Sequence, residues 1–113
     1  SSRSSKDLNN FRKLASLTKD IADTNDSKIY FIYLPMFNRY DEKLKLVNAG
    51  QNYYDQIISI IEDLEIPIID IHKELFSLHS SPKKLFPFEI KGHYTPETYE
   101  MISEIIIEKL ELK

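Results

Sequence analysis

Two short runs rich in isoleucine, separated by an amphipathic segment, constrain the fold of this sequence more than any other feature. Residues 29–34 form a continuous run of β-branched, aromatic and leucine side chains, as strands covered on both faces do. Residues 66–71 contain four isoleucines and Asp70, with Pro67 near the start, where a strand tolerates a missing ladder donor. Between them, apolar side chains recur at helical spacing, at Tyr53, Tyr54, Ile57, Ile58, Ile61 and Leu64. Strand, helix and strand within about 40 residues predict a βαβ unit with parallel strands and a right-handed crossover.

Helices are predicted on both sides of this unit. Apolar residues at helical spacing predict an amphipathic helix over about residues 6–22, which the polar run at 23–27 ends. A last helix is predicted from Pro96 to about Leu112, because Thr95 can cap it and proline suits its first position.

The remaining segments are predicted to be less regular. A short helical turn is expected around residues 74–76, and Pro87 argues against regular structure in the loop that follows it. Residues 1–5 are interpreted as a polar tail and residues 6–113 as a single domain, since 113 residues are enough for one modest core.

Composition excludes several classes of protein. A net charge of -3, from 15 basic and 18 acidic side chains, leaves no charged block that would favour nucleic acid. The longest apolar run, residues 29–37, is far shorter than the roughly 20 residues of a membrane-spanning helix. The chain begins with Ser1 and not with methionine, so a processed or truncated start is expected and the compartment is left open.

No cofactor or metal is expected. The sequence has no cysteine, which excludes thiolate ligands and disulfides, and it has only Gly50 and Gly92, too few for a glycine-rich phosphate loop. His72 and His79 lack the partner pattern of a metal site, so both are interpreted as structural or solvated.

Polar residues follow both predicted strands and precede the last helix. Because ligands gather at the carboxyl ends of parallel strands, the candidate residues are Asn38, Arg39, Tyr40, Asp70, His93 and Tyr94. His93, beside Gly92 and just before a helix cap, suits a general base at a loop rim. The alternatives are a surface histidine, a solvated polar loop, and an Asp70 that only accepts backbone N–H bonds.

Two sequence blocks resemble a known family. Residues 85–88, Leu-Phe-Pro-Phe, and 92–99, Gly-His-Tyr-Thr-Pro-Glu-Thr-Tyr, resemble the last block of SGNH (GDSL-type) hydrolases, where G-H-Y-N-x-x-G-Y is frequent. Residues 33–35 resemble that family's core strand ending in proline, and residues 66–71 resemble its next strand with a terminal Asp. The resemblance covers about residues 29–109. It implies the carboxyl-terminal part of a three-layer, flavodoxin-like α/β fold with parallel strands.

The resemblance also implies chemistry. His93 would be the base that takes a proton from a serine, which then attacks an ester carbonyl as in a serine esterase or acyltransferase. The family's G-D-S block, oxyanion-hole glycine and third-block asparagine have no counterpart in residues 1–28, so this chain alone is expected to be inactive. The substrate would be a small-molecule or glycan ester, contacted by Asn38, Arg39, Tyr40 and Tyr94.

The sequence departs from the family at the acid. Three residues before the histidine, where the family carries its acid, this chain has Ile90. Glu89 or Asp70 could replace it, or the site is a dyad or is dead. Thr95 and Thr98 replace the family's frequent Asn and Gly. The alternative hypothesis is therefore a non-catalytic α/β binding or assembly module.

The predicted sheet also bears on assembly. Two strands alone would leave unpaired edges, so the chain is expected either to belong to a longer protein or to form a homodimer that covers them.

Overall fold

The structure, a computed structural model, describes residues 2–41, 47–90 and 92–111. Its elements follow the predicted order: α1 (Ser2–Thr24), β1 (Phe31–Tyr33), α2 (Val47–Asp63), β2 (Ile68–Asp70), the single turn α3 (Ile71–Glu74) and α4 (Pro96–Glu111). The strands β1 and β2 pair in a two-stranded parallel sheet. The chain is therefore an α/β protein.

The bounds of the elements differ from the prediction in two ways. Helix α1 begins at Ser2 and not near Lys6, because serine is tolerated in a helix that neighbouring residues favour. Each strand has three residues where about six were predicted. Pro35 and Pro67 flank the paired segment, and proline has no N–H to extend the ladder.

The chain divides into two compact units, of which the first comprises Ser1–Phe31 and Asn52–Ile68. Its buried side chains are aliphatic: Ala22, Ile57, Ile60, Ile61 and Ile66. Phe11 and Phe31 add an edge-to-face ring pair with centroids 5.9 Å apart. Aliphatic side chains thus form most of the buried part of this unit, and their burial stabilises it.

Helices α1 and α2 are each followed, two residues after their last residue, by a residue in the left-handed region. These residues are Asp26, with φ of 54°, and Glu65, with φ of 58°. After each, an N–H bonds back across the helix end, from Ser27 to Ala22 at 2.8 Å and from Ile66 to Ile61 at 3.2 Å. These bonds satisfy carbonyls of the last turn, in an arrangement that usually uses glycine.

The second unit comprises Ile32–Gln51 and Ile69–Lys113. Its core mixes aromatic and aliphatic side chains, namely Phe37, Ile69, Ile71, Phe76, Leu85, Phe86 and Ile102. Short 3₁₀ turns at Phe37–Tyr40, Phe76–Leu78, Pro82–Leu85 and Pro87–Glu89 supply much of it. The helical turn expected around residues 74–76 is therefore split between α3 and the turn after it.

Helix α4 starts as predicted. The Thr98 N–H donates to Thr95 Oγ1 at 3.1 Å, so Thr95 caps the helix. The Thr98 hydroxyl, which is buried, donates to the Leu85 carbonyl oxygen at 2.9 Å. Within the described ranges, no helix combines the length and the apolar character that crossing a bilayer requires.

Candidate functional site

The loop after β1 is held in place by Phe37. This side chain is buried, and its ring meets that of Phe86 edge to face with centroids 5.2 Å apart. Because Phe37 is fixed in the aromatic core of the second unit, the residues on either side of it have defined positions. Pro35 is also fully buried. Buried side chains thus anchor the loop from Pro35 to Asn38 at two positions.

The structure places the three polar residues predicted at this rim in different environments. Asn38 lines a cavity, and its buried Oδ1 has no hydrogen-bond partner among the described residues. Arg39 is buried, and its Nη1 donates to the Tyr33 hydroxyl at 3.3 Å. The Tyr40 hydroxyl lies 2.7 Å from His72 Nδ1. Only Asn38 of the three therefore faces the cavity.

Arg39, Tyr40 and His72 belong to a polar cluster inside the second unit. Burial lowers the pKa of His72, and the nearby Arg39 charge lowers it further, while Asp70 opposes the shift. Burial also raises the pKa of Tyr40 far above its ordinary value. The cluster is therefore uncharged at His72 and Tyr40 near neutral pH, which suits a structural role.

Asp70 lies at the end of β2 and starts the next helical turn. Its carboxylate accepts a hydrogen bond from the Lys73 N–H at 3.2 Å, and its side chain is buried. This is the helix-capping geometry that was one of the two interpretations of Asp70 from the sequence.

The loop before α4 is tied down by its neighbours. The Tyr94 hydroxyl donates to the Pro35 carbonyl oxygen, and the Tyr94 ring packs 5.4 Å from that of Phe76 and 5.2 Å from that of Phe86. The Thr95 N–H donates to the Leu85 carbonyl oxygen at 3.1 Å. Burial raises the pKa of Tyr94 well above its ordinary value, so its hydroxyl stays a neutral donor.

A cavity of about 440 Å³ lies between these two loops. Its walls come from the segment after β1, from the loop before α4 and from the first turn of α4; the residues are Leu34, Pro35, Met36, Phe37, Asn38, Gly92, His93, Tyr94 and Tyr99. All of them belong to the second unit. Its size falls within the range of about 300–1,000 Å³ that is typical of small-molecule sites.

His93 stands at the rim of this cavity. Its side chain is exposed, and none of the described residues forms a hydrogen bond with its ring. Glu89 is exposed, in a segment where Phe88 and Glu89 both adopt left-handed backbone conformations with φ of 54° and 55°. Among the described residues that line the cavity, neither Glu89 nor Asp70 is present.

The structure thus brings together three of the predicted site residues, Asn38, His93 and Tyr94, in one cavity. Sequence reasoning missed the apolar part of the wall. Leu34 and Met36 flank the proline that ends the first apolar run, and Tyr99 lies in the first turn of α4. The only indication in the sequence was that large apolar residues, Leu34 and Met36, continue past the end of the first strand.

A metal centre has no support in the part of the chain that the structure describes. No group of three or more His, Asp or Glu side chains there is arranged to hold an ion.

Comparisons with models of known protein families, with curated proteins and with solved structures found no match for this chain.

Proposed function

We propose that this chain is the carboxyl-terminal part of an SGNH-type serine esterase or acyltransferase with a flavodoxin-like, three-layer fold, in which His93 is the general base. The observation that supports the proposal is that an exposed imidazole lines a cavity shared with the loop after β1. A general base needs access to the reacting group and a fixed loop behind it. Tyr94 and Thr95 supply that anchorage on the following side of His93.

In the proposed reaction, His93 takes the proton of a serine hydroxyl as the serine oxygen attacks the ester carbonyl. Collapse of the tetrahedral intermediate breaks the ester C–O bond, and His93 returns the proton to the departing alcohol. Water, or the hydroxyl of an acceptor, then repeats the cycle on the acyl-enzyme. In this proposal the serine is contributed by residues outside the 113 considered.

Of the two candidate acids, we propose Glu89 as the residue that orients His93, because Asp70 is engaged elsewhere. The Asp70 carboxylate is buried and already accepts the Lys73 N–H, whereas Glu89 is exposed and four residues before the histidine. Replacement of Glu89 by Gln should lower kcat/KM and shift the acidic limb of its pH profile. Replacement of Asp70 by Asn should instead lower thermal stability.

Ester hydrolysis by the full-length protein that contains this sequence tests the proposal. With short-chain p-nitrophenyl esters, His93→Ala should lower kcat/KM by about 10²–10⁴-fold, since that is the usual contribution of a general base. The matched control is His79→Ala, because His79 does not line the cavity. Equal activity in wild type and His93→Ala would overturn the proposal.

A non-catalytic binding or assembly module is the second candidate. It is favoured by the absence, among the described residues, of a carboxylate hydrogen-bonded to the His93 ring. Under this alternative neither the full-length protein nor its His93→Ala variant would hydrolyse the esters, and His93→Ala would change only the affinity for a ligand of the cavity. A homodimer that covers the sheet edges fits either candidate, and sedimentation of the full-length protein would test it.

A further inference from the structure

The wall of the His93 cavity exposes large apolar side chains. Met36 is 66% exposed, Leu34 is 49% exposed and Tyr99 is 46% exposed, and all three line the cavity. Apolar surface left open to water in a concave site is unfavourable until an apolar ligand covers it. These side chains surround a single imidazole, so a ligand of this cavity is expected to present mostly apolar surface.

The polar groups of the cavity are few. They are the His93 imidazole, the Tyr99 hydroxyl and the Asn38 amide, whose Oδ1 is buried and has no hydrogen-bond partner among the described residues. The Tyr94 hydroxyl is already committed to the Pro35 carbonyl oxygen. A ligand that fits this wall has one polar end and an apolar body.

We propose that this cavity binds the acyl group of the ester, and that the group is an apolar chain longer than acetyl. The inference rests on the proposed function for the ester itself. An acetyl group would leave most of about 440 Å³ unfilled and the side chains of Leu34 and Met36 uncovered. The flexible thioether of Met36 can adapt to the end of such a chain.

The experiment measures binding, which does not depend on turnover. Octanoate and acetate are titrated into the full-length protein that contains this sequence, with isothermal calorimetry and the NMR signals of the His93 ring as readouts. Octanoate should bind at least about tenfold more tightly than acetate, and Met36→Asp should remove that preference, because a charge in an apolar wall must be desolvated. Met36→Trp should move the preference to shorter acids.

The matched control is Leu78→Asp. Leu78 belongs to the second unit and is 78% exposed, yet it does not line the cavity, so its variant should bind octanoate like wild type. Circular dichroism of each variant checks that the fold is kept.

The outcomes separate this inference from the function on which it rests. Equal affinity for the two acids, or equal effects of Met36→Asp and Leu78→Asp, would overturn the acyl-pocket assignment even in an active esterase. If octanoate binds as expected while His93→Ala has full esterase activity, the general-base role fails and the apolar acyl pocket stands.

Discussion

The His93 cavity of the second unit differs from one of the cavities of the first unit in the chemistry of its wall. The first-unit cavity, of about 300 Å³, lies among apolar side chains of α1, α2 and the segment before β1, with Thr18 and Tyr30 as its hydroxyl-bearing residues. The His93 cavity has an imidazole and an amide on an apolar wall that also carries the hydroxyls of Tyr94 and Tyr99. The two cavities thus have different prospects, because acid–base chemistry near neutral pH needs a group such as an imidazole, which the residues lining the first-unit cavity do not include.

The difference follows from how each unit is built. The first unit consists mostly of helical turns whose apolar faces pack by aliphatic contact, whereas the second surrounds an aromatic core with loops and 3₁₀ turns. Loops do not follow the periodicity of a helix, so they can place polar residues at the rim of a cavity. The following predictions test this contrast, from the largest expected effect to the smallest.

Truncation at the centre of the aromatic core should have the largest effect. Phe76 is fully buried and its ring contacts those of Tyr40, Phe86 and Tyr94. We expect Phe76→Ala to lower the free energy of unfolding by about 3–5 kcal/mol. The measurement is urea denaturation followed by the near-ultraviolet circular dichroism of the tyrosines. Leu78→Ala, at an exposed site, should change it by less than about 0.5 kcal/mol. A loss for Phe76→Ala as small as that control would refute an aromatic core.

The aliphatic core should respond less strongly to a comparable truncation. Ile61 is 1% exposed in the first unit, and Ile61→Ala should cost about 2–4 kcal/mol in the same urea experiment. Far-ultraviolet circular dichroism is the appropriate signal, since this unit is mostly helical. The control is Ile58→Ala on the same helix, where the side chain is only partly buried. A larger cost at Ile58 than at Ile61 would contradict the packing described.

A buried hydroxyl at the start of α4 should contribute an intermediate amount. Thr98→Val keeps the shape of the side chain but removes the hydroxyl that bonds the Leu85 carbonyl oxygen, so we expect a loss of about 1 kcal/mol. Thr18→Val is the control, because that hydroxyl bonds a carbonyl of its own helix at an exposed site. Thermal unfolding of the pair would measure both, and identical transition temperatures would argue against a role for the Thr98 hydroxyl.

The smallest effect concerns acid stability and the polar cluster. Burial and Arg39 lower the pKa of His72 in the folded state, although Asp70 partly compensates. As the pH falls through the ordinary histidine pKa of 6.5, the unfolded chain takes up a proton that the folded chain resists. The contribution of His72 to stability is therefore complete above that pH and decreases below it.

The pH prediction is tested with His72→Gln. The urea midpoint of this variant should fall less steeply between pH 7.5 and 5 than that of wild type, over a range of about two pH units around the histidine pKa. The control is Ser80→Ala, which removes no titratable group from an exposed site and should therefore keep the wild-type slope. Parallel slopes for wild type and His72→Gln would show that His72 titrates alike in both states.

Much of the fold was predictable because it depends on patterns that repeat along the chain. The order of helices and strands, the parallel pairing, the cap at Thr95 and the start of α4 at Pro96 follow from periodicity and capping chemistry. The length of each strand was predictable only in part: Pro35 and Pro67 mark one end of each paired segment, whereas an apolar run does not show where partner hydrogen bonds stop at the other end. Residues 42–46, predicted to be irregular, lie outside the described residues.

The candidate site was predictable only in part. His93, Asn38 and Tyr94 were found because polar residues beside strand ends and helix caps are visible in sequence. The burial of Arg39 and the Tyr40–His72 contact depend on contacts between residues far apart in the chain. Loop sequence alone does not show which of two neighbouring polar side chains turns inward.

The left-handed residues that follow α1 and α2 indicate where substitutions could make this protein more stable. Asp26 and Glu65 occupy a backbone region that costs side-chain-bearing residues about 1–2 kcal/mol and costs glycine almost nothing. The chain has only two glycines, and neither is at these positions. Replacement of Asp26 and Glu65 by glycine should therefore relieve backbone strain at these two positions and increase stability, without changing either core.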